Sequence, residues 1–319
     1  MDSSYDVIVI GGGPAGLSAA TALARSRRRV LVLDQGRPRN AAAGHLHNFL
    51  TRDGTAPGDL LAMGRAEVES FGGVVERAEV VDVRTEEGDR FTVQSDIGSA
   101  QGRRVLVTTG LTDRLPDIPG VAERWGRDVL HCPYCHGYEV RDQAVGILAA
   151  GPLAGHAAGL WRQLTHRVTV FVHDGSTPDA AERERLDALG VSVADGTVSE
   201  LVVEADRLIG VRLRSGAVVP VDVVVVAPLA GARAGFLGTL RLATVDVEMA
   251  GRVVATRLET DPFGRTSVPG VWAAGSVVEP MAQLMASAAS GLMAGAQINA
   301  DLVESDLAAV LAARRVTVS

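Results

Sequence analysis

The sequence predicts an α/β protein of two doubly wound domains, the second inserted into the first. Three observations carry this. Residues 5–10 are an almost unbroken apolar run that leads through Gly11-Gly12-Gly13-Pro14-Ala15-Gly16 into a helix. A second block opening near Pro119-Gly120 repeats the order strand, glycine-containing turn, helix. Near residue 250 the pattern of the first block returns. Unbroken apolar strands are those buried on both faces of a parallel sheet, and their alternation with helices is the mark of an α/β sheet. A chain of 319 residues is long enough for two domains. Residues 1–117 and 250–319 are expected to form one, and 118–249 the other.

The elements follow in order. After the strand at 5–10, a helix with Ala and Leu on its packing face runs to about residue 25, and a strand at 30–33 ends at Asp34. Residues 37–58, rich in Arg, His, Asn, Gly and Pro, are expected to be an ordered loop, and so long a loop in a compact domain points to function. A helix at 60–71, strands at 74–83 and 91–94, and a buried strand at 105–109 closed by Gly110 complete the first block. In the second, strands are expected at 144–149, 168–172, 191–193, 198–205, 208–213 and 221–227, with helices at 153–164 and 180–189. The return of the first block brings a strand at 271–274 and a long helix at 284–302 with small residues on one face. Trp125, Trp161 and Trp272 are expected to pack in the core; Met281, Met285 and Met293 can pack the last helix or line a substrate channel, with core packing the favoured reading.

Composition excludes several classes. Hydrophobic residues make up 47% and charged residues 22%, which is an ordinary globular balance and not that of a disordered chain. The net charge of -7 leaves no broad surface for neutralising phosphates, so nucleic acid is not an expected partner. No apolar run is long enough to cross a bilayer. The first residues carry no basic region and run straight into a strand, so no signal peptide is expected and the cytoplasm is the expected compartment. The seven His show no metal-ligand spacing, and no metal is expected.

Gly11, Gly13 and Gly16 give G-x-G-x-x-G between a strand and a helix. The first glycine permits the tight turn, the second lets a pyrophosphate approach the backbone, and the third lets helix and strand pack closely. Pro14 and Ala15 open the helix, whose free N–H groups face the phosphates. Asp34, at the end of the next strand and followed by Gln35, can accept hydrogen bonds from ribose hydroxyls and would repel a 2′-phosphate. Two such units give a fold of two dinucleotide-binding, Rossmann-like, three-layer ββα domains.

The only two cysteines, Cys132 and Cys135, form C-P-Y-C. Three readings of the pair are a metal half-site, two inert buried thiols and a redox dithiol. The first lacks a second cysteine pair, and the third is favoured in a cytosolic chain. Pro133 suits the first turn of a helix, whose N-terminus lowers a thiol pKa. His136 can take or return a proton during exchange, or can be a solvated surface histidine; His131 is the weaker candidate.

A nucleotide-binding turn at the start and a dithiol in the middle resemble the low-molecular-weight thioredoxin reductase-like family of flavoproteins over nearly the whole chain. The resemblance implies FAD as cofactor and a homodimer. It places the opening glycines at the FAD pyrophosphate and His47-Asn48-Phe49 along the flavin. Thr108-Thr109-Gly110 is similar to the A-T-G stretch that ends the first half, and T-S-V-P-G-V-W-A-A-G-S, through Gly275 and Ser276, to the late FAD motif. Ala282, Gln283 and Leu284 open the last helix, whose positive end faces the flavin in this family. Val80 joins the FAD set on the same ground. Within the family, C-P-Y-C-H-G-Y-E and the stretch from Arg39-Asn40 to Gly54 resemble the FAD-dependent dithiol oxidases that close disulfides in natural products of the gliotoxin, holomycin and romidepsin type. By that resemblance Cys132 is the more exposed sulfur and Cys135 the one nearer the flavin.

Two departures from a reductase matter. Where a reductase shows G-G-G-D-S-A, this chain has Ala149-Ala150-Gly151-Pro152-Leu153-Ala154, and Val172-His173-Asp174 stands where arginines would hold the 2′-phosphate of NADPH. That site is expected to be degenerate, since bidentate Arg contacts are missing. Ser276 replaces the family's Asp and can still accept a hydrogen bond, so weaker FAD binding is expected, by on the order of 1 kcal/mol. The favoured expectation is a dithiol oxidase: a small-molecule dithiol gives electrons to the thiol pair, and they pass through FAD to dioxygen, giving hydrogen peroxide. The alternatives are a disulfide reductase fed by NADPH at an atypical site or by a ferredoxin, and a flavin-binding scaffold or sensor without turnover.

Overall fold

The computed structural model describes residues 4–148, 152–173 and 177–318. The chain runs β1 (Ser4–Ile10), α1 (Pro14–Arg25), β2 (Val30–Asp34), α2 (Pro57–Ser70), β3 (Val74–Arg77), β4 (Val80–Glu86), β5 (Arg90–Ser95), β6 (Gly98–Val107) and β7 (Leu111–Arg114). Then come β8 (Val129–Leu130), α3 (Pro133–His136), β9 (Val145–Leu148), α4 (Pro152–Trp161), β10 (Val168–Val172), α5 (Ala180–Ala188), β11 (Ser192–Asp195), β12 (Val198–Glu204), β13 (Arg207–Leu213), β14 (Val218–Val219) and β15 (Val223–Val226). The last part holds β16 (Leu229–Ala232), a 3-10 turn at Gly235–Leu240, β17 (Thr244–Met249), β18 (Arg252–Leu258), β19 (Val271–Ala273) and α6 (Leu284–Val318).

The first sheet has the order β3-β2-β1-β6-β5-β4. The apolar runs of β1 and β2 pair in parallel, Val7 opposite Val30, and β1 pairs in parallel with β6. The long β6 is shared along its other edge: its first half takes β5 antiparallel, Phe91 opposite Gly102, and its second half takes β19 parallel, Val271 opposite Val105. The late strand β19 therefore returns the chain to the sheet that β1 begins. One face of this sheet packs on α1, α2 and α6 through Leu17, Leu23, Leu61 and Ile298. The other packs on the β4–β5 meander and the 3-10 turn through Val83, Phe91 and Leu237. The layering is thus β, β, α.

The second sheet, β11-β10-β9-β15-β8, is parallel throughout. Trp161 and Leu186 of α4 and α5 cover one face. The antiparallel β12-β13-β14 sheet covers the other through Leu201, Leu208 and Val211, which repeats the three-layer arrangement. A fourth sheet, β17-β18-β16-β7, joins a strand that precedes the second sheet to three that follow it.

Several boundaries differ from those expected. Residues 74–83 make two strands, because the chain leaves the parallel edge after Arg77 and crosses to the antiparallel side at Val80. The strand expected at 105–109 begins at Gly98, where β5 offers a hairpin partner. The last helix continues to Val318. Residues 35–56 hold no helix or strand, and are ordered by turns such as Leu46 N–H to Thr55 O and Gly54 N–H to Leu46 O, both 2.9 Å. Trp161 and Trp272 are buried, and Trp125 is partly so. The expected burial of the methionines is corrected: Met281, Met285 and Met293 are all exposed, on or beside an α6 surface that faces away from the core.

Candidate active site

The glycine turn is built by steric necessity. Gly11 has φ +109, and a Cβ there would lie 2.5 Å from the Thr108 carbonyl oxygen. A Cβ on Gly16 would lie 1.9 Å from the Gly11 carbonyl oxygen. Thr108 locks this approach by donating its hydroxyl to Gly11 O at 2.8 Å. Gly13 is different, because a Cβ there would meet nothing within 4 Å. It is the N-cap of α1, supplies no side-chain cap, and is followed by Pro14 at the first helical position. The result is an open backbone surface at a helix N-terminus, where N–H groups and the helix dipole favour an anion. Asp34 stands at the end of β2 beside Gly12, and the Arg65 guanidinium on α2 lies 3.6 Å from its carboxylate. Gln35 follows, half-buried.

Of the other expected FAD residues, Gly275 lies directly against this turn. Gly275, at φ +80, sits so close to α1 that a Cβ would be 2.8 Å from Ala15 Cβ. A Cβ on Gly110 would lie 3.4 Å from Ser276 Oγ. Thr109 donates its hydroxyl to Arg233 O at 2.6 Å. Ala282 and Gln283 lead into α6 at Leu284, and Ser287 N–H bonds Gln283 O at 2.9 Å. Arg39 is held by a bidentate pair with Asp113 at 2.8 and 2.6 Å, and Asp113 is the more buried partner. Asn40 and Val80 are half-buried. The open space at Gly13, the helix N-terminus without a side-chain cap and a carboxylate at the end of the neighbouring strand fit a dinucleotide with its pyrophosphate at the turn.

Cys132 is the N-cap of the short helix α3, and Cys135 is its third residue; both are half-buried thiols. The helix is closed by Cys135 and His136 N–H to Cys132 O, both 3.2 Å, and by Gly137 N–H to Pro133 O at 2.8 Å. A Cβ on Gly137 would strike Leu164 and Pro133 O. The Cys132 thiol is drawn down to about 7, first by the Cys135 thiol hydrogen-bonded to it, with burial opposing. Backbone N–H groups of Cys135 and Tyr134 and the charge of Arg39 add to the lowering. The Cys135 thiol is pushed up, first by its bond to Cys132, then by burial. One proton is thus held between the two sulfurs and rests on Cys135.

Burial lowers the pKa of His136, Glu139 opposing it and His47 adding to it. His131 is exposed to solvent, but protein surrounds it on the scale over which a charge is solvated, and its imidazole is lowered to about 4 by that desolvation and then by Arg39. His47 points its two ring nitrogens at carboxylates: Nδ1 lies 3.2 Å from Asp53, and Nε2 lies 3.4 Å from Glu139. Asn48, at φ +60, donates its backbone N–H to Asp53 at 3.0 Å and its side-chain amide to Tyr134 O. His45 is exposed.

The structure therefore gathers two expected groups, the glycine-turn border and the thiol helix, with the loop after β2 reaching both. Glu139 and Asp53 enter the sequence reading only as members of the C-P-Y-C-H-G-Y-E and 39–54 stretches; Arg65, Asp113 and Arg233 are at the site and were not singled out from sequence. Each is one charged residue among many, and only the tertiary pairing marks it. The positions expected to make the second turn degenerate, Ala149, Ala150, Gly151 and Asp174, lie outside the described residues, as do the side chains of Pro152 and Leu153. Among the described residues no cluster of His, Cys, Asp or Glu could hold a metal ion, and no helix is long and apolar enough to cross a membrane.

Comparison with known proteins agrees with this architecture. The chain is 32% identical over 312 residues to thioredoxin reductase tcpT of Claviceps purpurea (strain 20.1), covering 93% of this chain and 94% of the relative. It is 33% identical over 328 residues to thioredoxin reductase sirT of Leptosphaeria maculans, covering 96% and 97%. The crystal structure of HlmI superposes with a TM-score of 0.91 at 47% identity, covering 100% of this chain and 99% of that one. The profile of the pyridine nucleotide-disulphide oxidoreductases matches residues 5–294. The chain belongs to that family, in its thioredoxin reductase-like part, and FAD is its cofactor.

Proposed function

We propose that this chain is an FAD-dependent dithiol oxidase that closes a disulfide in a small-molecule, natural-product dithiol and passes the electrons to dioxygen. The observation that carries the reading is Cys132: an acidic thiol at a helix N-cap, paired with Cys135 and lying in the field of Arg39 from the loop after β2.

The catalytic residues are Cys132, Cys135 and His136. In the oxidised pair a substrate thiolate attacks Cys132 Sγ. A substrate–Cys132 disulfide forms, the Cys132–Cys135 bond breaks, and Cys135 leaves with the electron pair. Cys132 carries no charge at that stage, so the main influence that raises Cys135 is gone, while Arg39 still favours its thiolate. The second substrate thiol gives its proton to His136, which burial keeps neutral near pH 7, and attacks the substrate's own sulfur. The substrate disulfide forms and Cys132 departs as a thiolate, received by the N–H groups of Cys135 and Tyr134. A leaving thiol of low pKa departs faster. The substrate has lost two electrons and two protons, and the enzyme pair has gained the electrons. When bound, FAD supplies a two-electron acceptor for the reduced pair and a route to dioxygen, which leaves as hydrogen peroxide.

Gly11, Gly13, Pro14, Ala15 and Gly16 would hold the pyrophosphate, and Asp34 and Gln35 the adenosine ribose. Arg39, Asn40, Val80, Thr109, Gly110, Gly275 and Ser276 would line the rest, with Ala282, Gln283 and Leu284 at the flavin end. The cytoplasm is the compartment in which such a pair is redox-active and not structural. We assign the exposed α6 stripe of Leu292, Val303, Leu307 and Val310 to a second copy of the chain, as a homodimer. A nicotinamide-fed disulfide reductase is the second reading, favoured by the thioredoxin reductase names of the relatives. Oxygen uptake driven by a small dithiol decides on the thiol route: Cys135→Ser should abolish it at unchanged FAD content, and a variant as active as the parent would overturn the mechanism.

A further inference from the structure

We infer that Asn48 and His47 are positioning residues that fasten the thiol helix to the loop following β2. The inference rests on the reading of Cys132 and Cys135 as the redox pair. A helix of four residues cannot hold itself, because its last carbonyls have no intrahelical partner. In α3 the carbonyls of Cys132 and Pro133 are taken by the N–H groups of Cys135, His136 and Gly137. The Tyr134 carbonyl, between the two cysteines, is instead taken by the Asn48 side-chain amide from a segment 86 residues away in sequence. One residue earlier, His47 spans the same gap. Its Nε2 faces Glu139, four residues beyond Cys135, and its Nδ1 faces Asp53 on its own loop. Asp53 completes the device, since its other oxygen accepts the Asn48 N–H and holds that residue at φ +60.

This arrangement assigns the two side chains a task other than the flavin contact that their sequence context suggests. Both polar ends of His47 are directed at carboxylates, and the Asn48 amide at a backbone carbonyl. The clamp ties the turn that carries Cys132 and Cys135 to the loop following β2.

Asn48→Gly isolates the clamp, because glycine accepts the left-handed backbone and removes only the amide. Asn48→Asp also tolerates that backbone but sets a carboxylate against the Tyr134 carbonyl oxygen. The pre-reduced, FAD-loaded protein is alkylated with iodoacetamide without turnover, and FAD content and Tm are read alongside. We expect Asn48→Gly to speed alkylation of the thiol pair about fivefold, the shift one ordinary hydrogen bond supports, and Asn48→Asp to speed it further. His47→Ala should behave like Asn48→Gly, and His47→Gln, which keeps a donor toward Glu139, should lie nearer the parent. FAD content is expected to hold in all four. Unchanged alkylation in both Asn48 variants, or loss of FAD in place of faster alkylation, overturns the inference. The parent's failure to oxidise any dithiol would count against the proposed function alone, since the alkylation readout needs no turnover.

Discussion

A methyl group on Gly13 would meet nothing within 4 Å, whereas one on Gly16 would sit 1.9 Å from the Gly11 carbonyl oxygen. The two glycines therefore answer to different demands, Gly16 to folding and Gly13 to the ligand. Gly13→Ala is expected to leave the stability of the FAD-free protein within about 1 kcal/mol of the parent and to weaken FAD affinity by roughly tenfold or more. A calorimetric scan with flavin release measures both, and a Gly13→Ala protein that keeps full FAD affinity would separate this turn from the cofactor. Cys132 gives a second test at this scale. Its thiol is lowered from the ordinary 9.0 to about 7, so its thiolate is populated as pH rises through about 7 and is lost below that. Alkylation of the reduced protein should follow that midpoint, and a midpoint near 9 would contradict the Cys132 environment described above. The thiol pair and the three glycines are legible in the sequence because spacing alone defines them. Arg65 and Asp113 are not, because their meaning comes from partners far along the chain: Arg65 pairs with Asp34 and Asp113 with Arg39.

Between elements, the contact of α1 with α6 sets the geometry of the site. A Cβ on Gly291 would lie 2.0 Å from Ala15 O, and one on Gly295 3.0 Å from Ala19 O. Gly291→Ala must push the two helices apart beside the first turn of α1, at a cost of about 1–3 kcal/mol. FAD occupancy should fall with it. Gly58→Ala on α2, where a Cβ meets nothing within 4 Å, should raise stability by about 0.5–1 kcal/mol. Urea titration of the pair checks this, and equal stabilities would dissolve the close-packing argument. Strands buried on both faces, such as β1, β2, β10 and β15, are legible because their apolar runs are unbroken. The strands β7 and β17 escaped, since they are half-exposed, carry polar residues such as Asp113, Asp246 and Glu248, and exist because a neighbour supplies the ladder. The methionines beside α6 misled for a related reason: sequence shows that they are apolar, not which way the helix turns them.

At the scale of the whole molecule, two three-layer units share a chain in which the first sheet is begun by β1 and joined again by β19. The thiol helix belongs to the segment between them, yet the first unit's loop grips it through Asn48 and His47. That placement makes sulfur the proposed entry for electrons and the flavin their exit. The direct measurement is anaerobic: FAD-loaded protein is mixed in turn with a small dithiol, with NADPH and with NADH, and the oxidised-flavin absorbance is followed. Bleaching by the dithiol within a turnover, and none by either nicotinamide, is the outcome expected here. Rapid bleaching by NADPH with no response to dithiols would show that electrons run the other way.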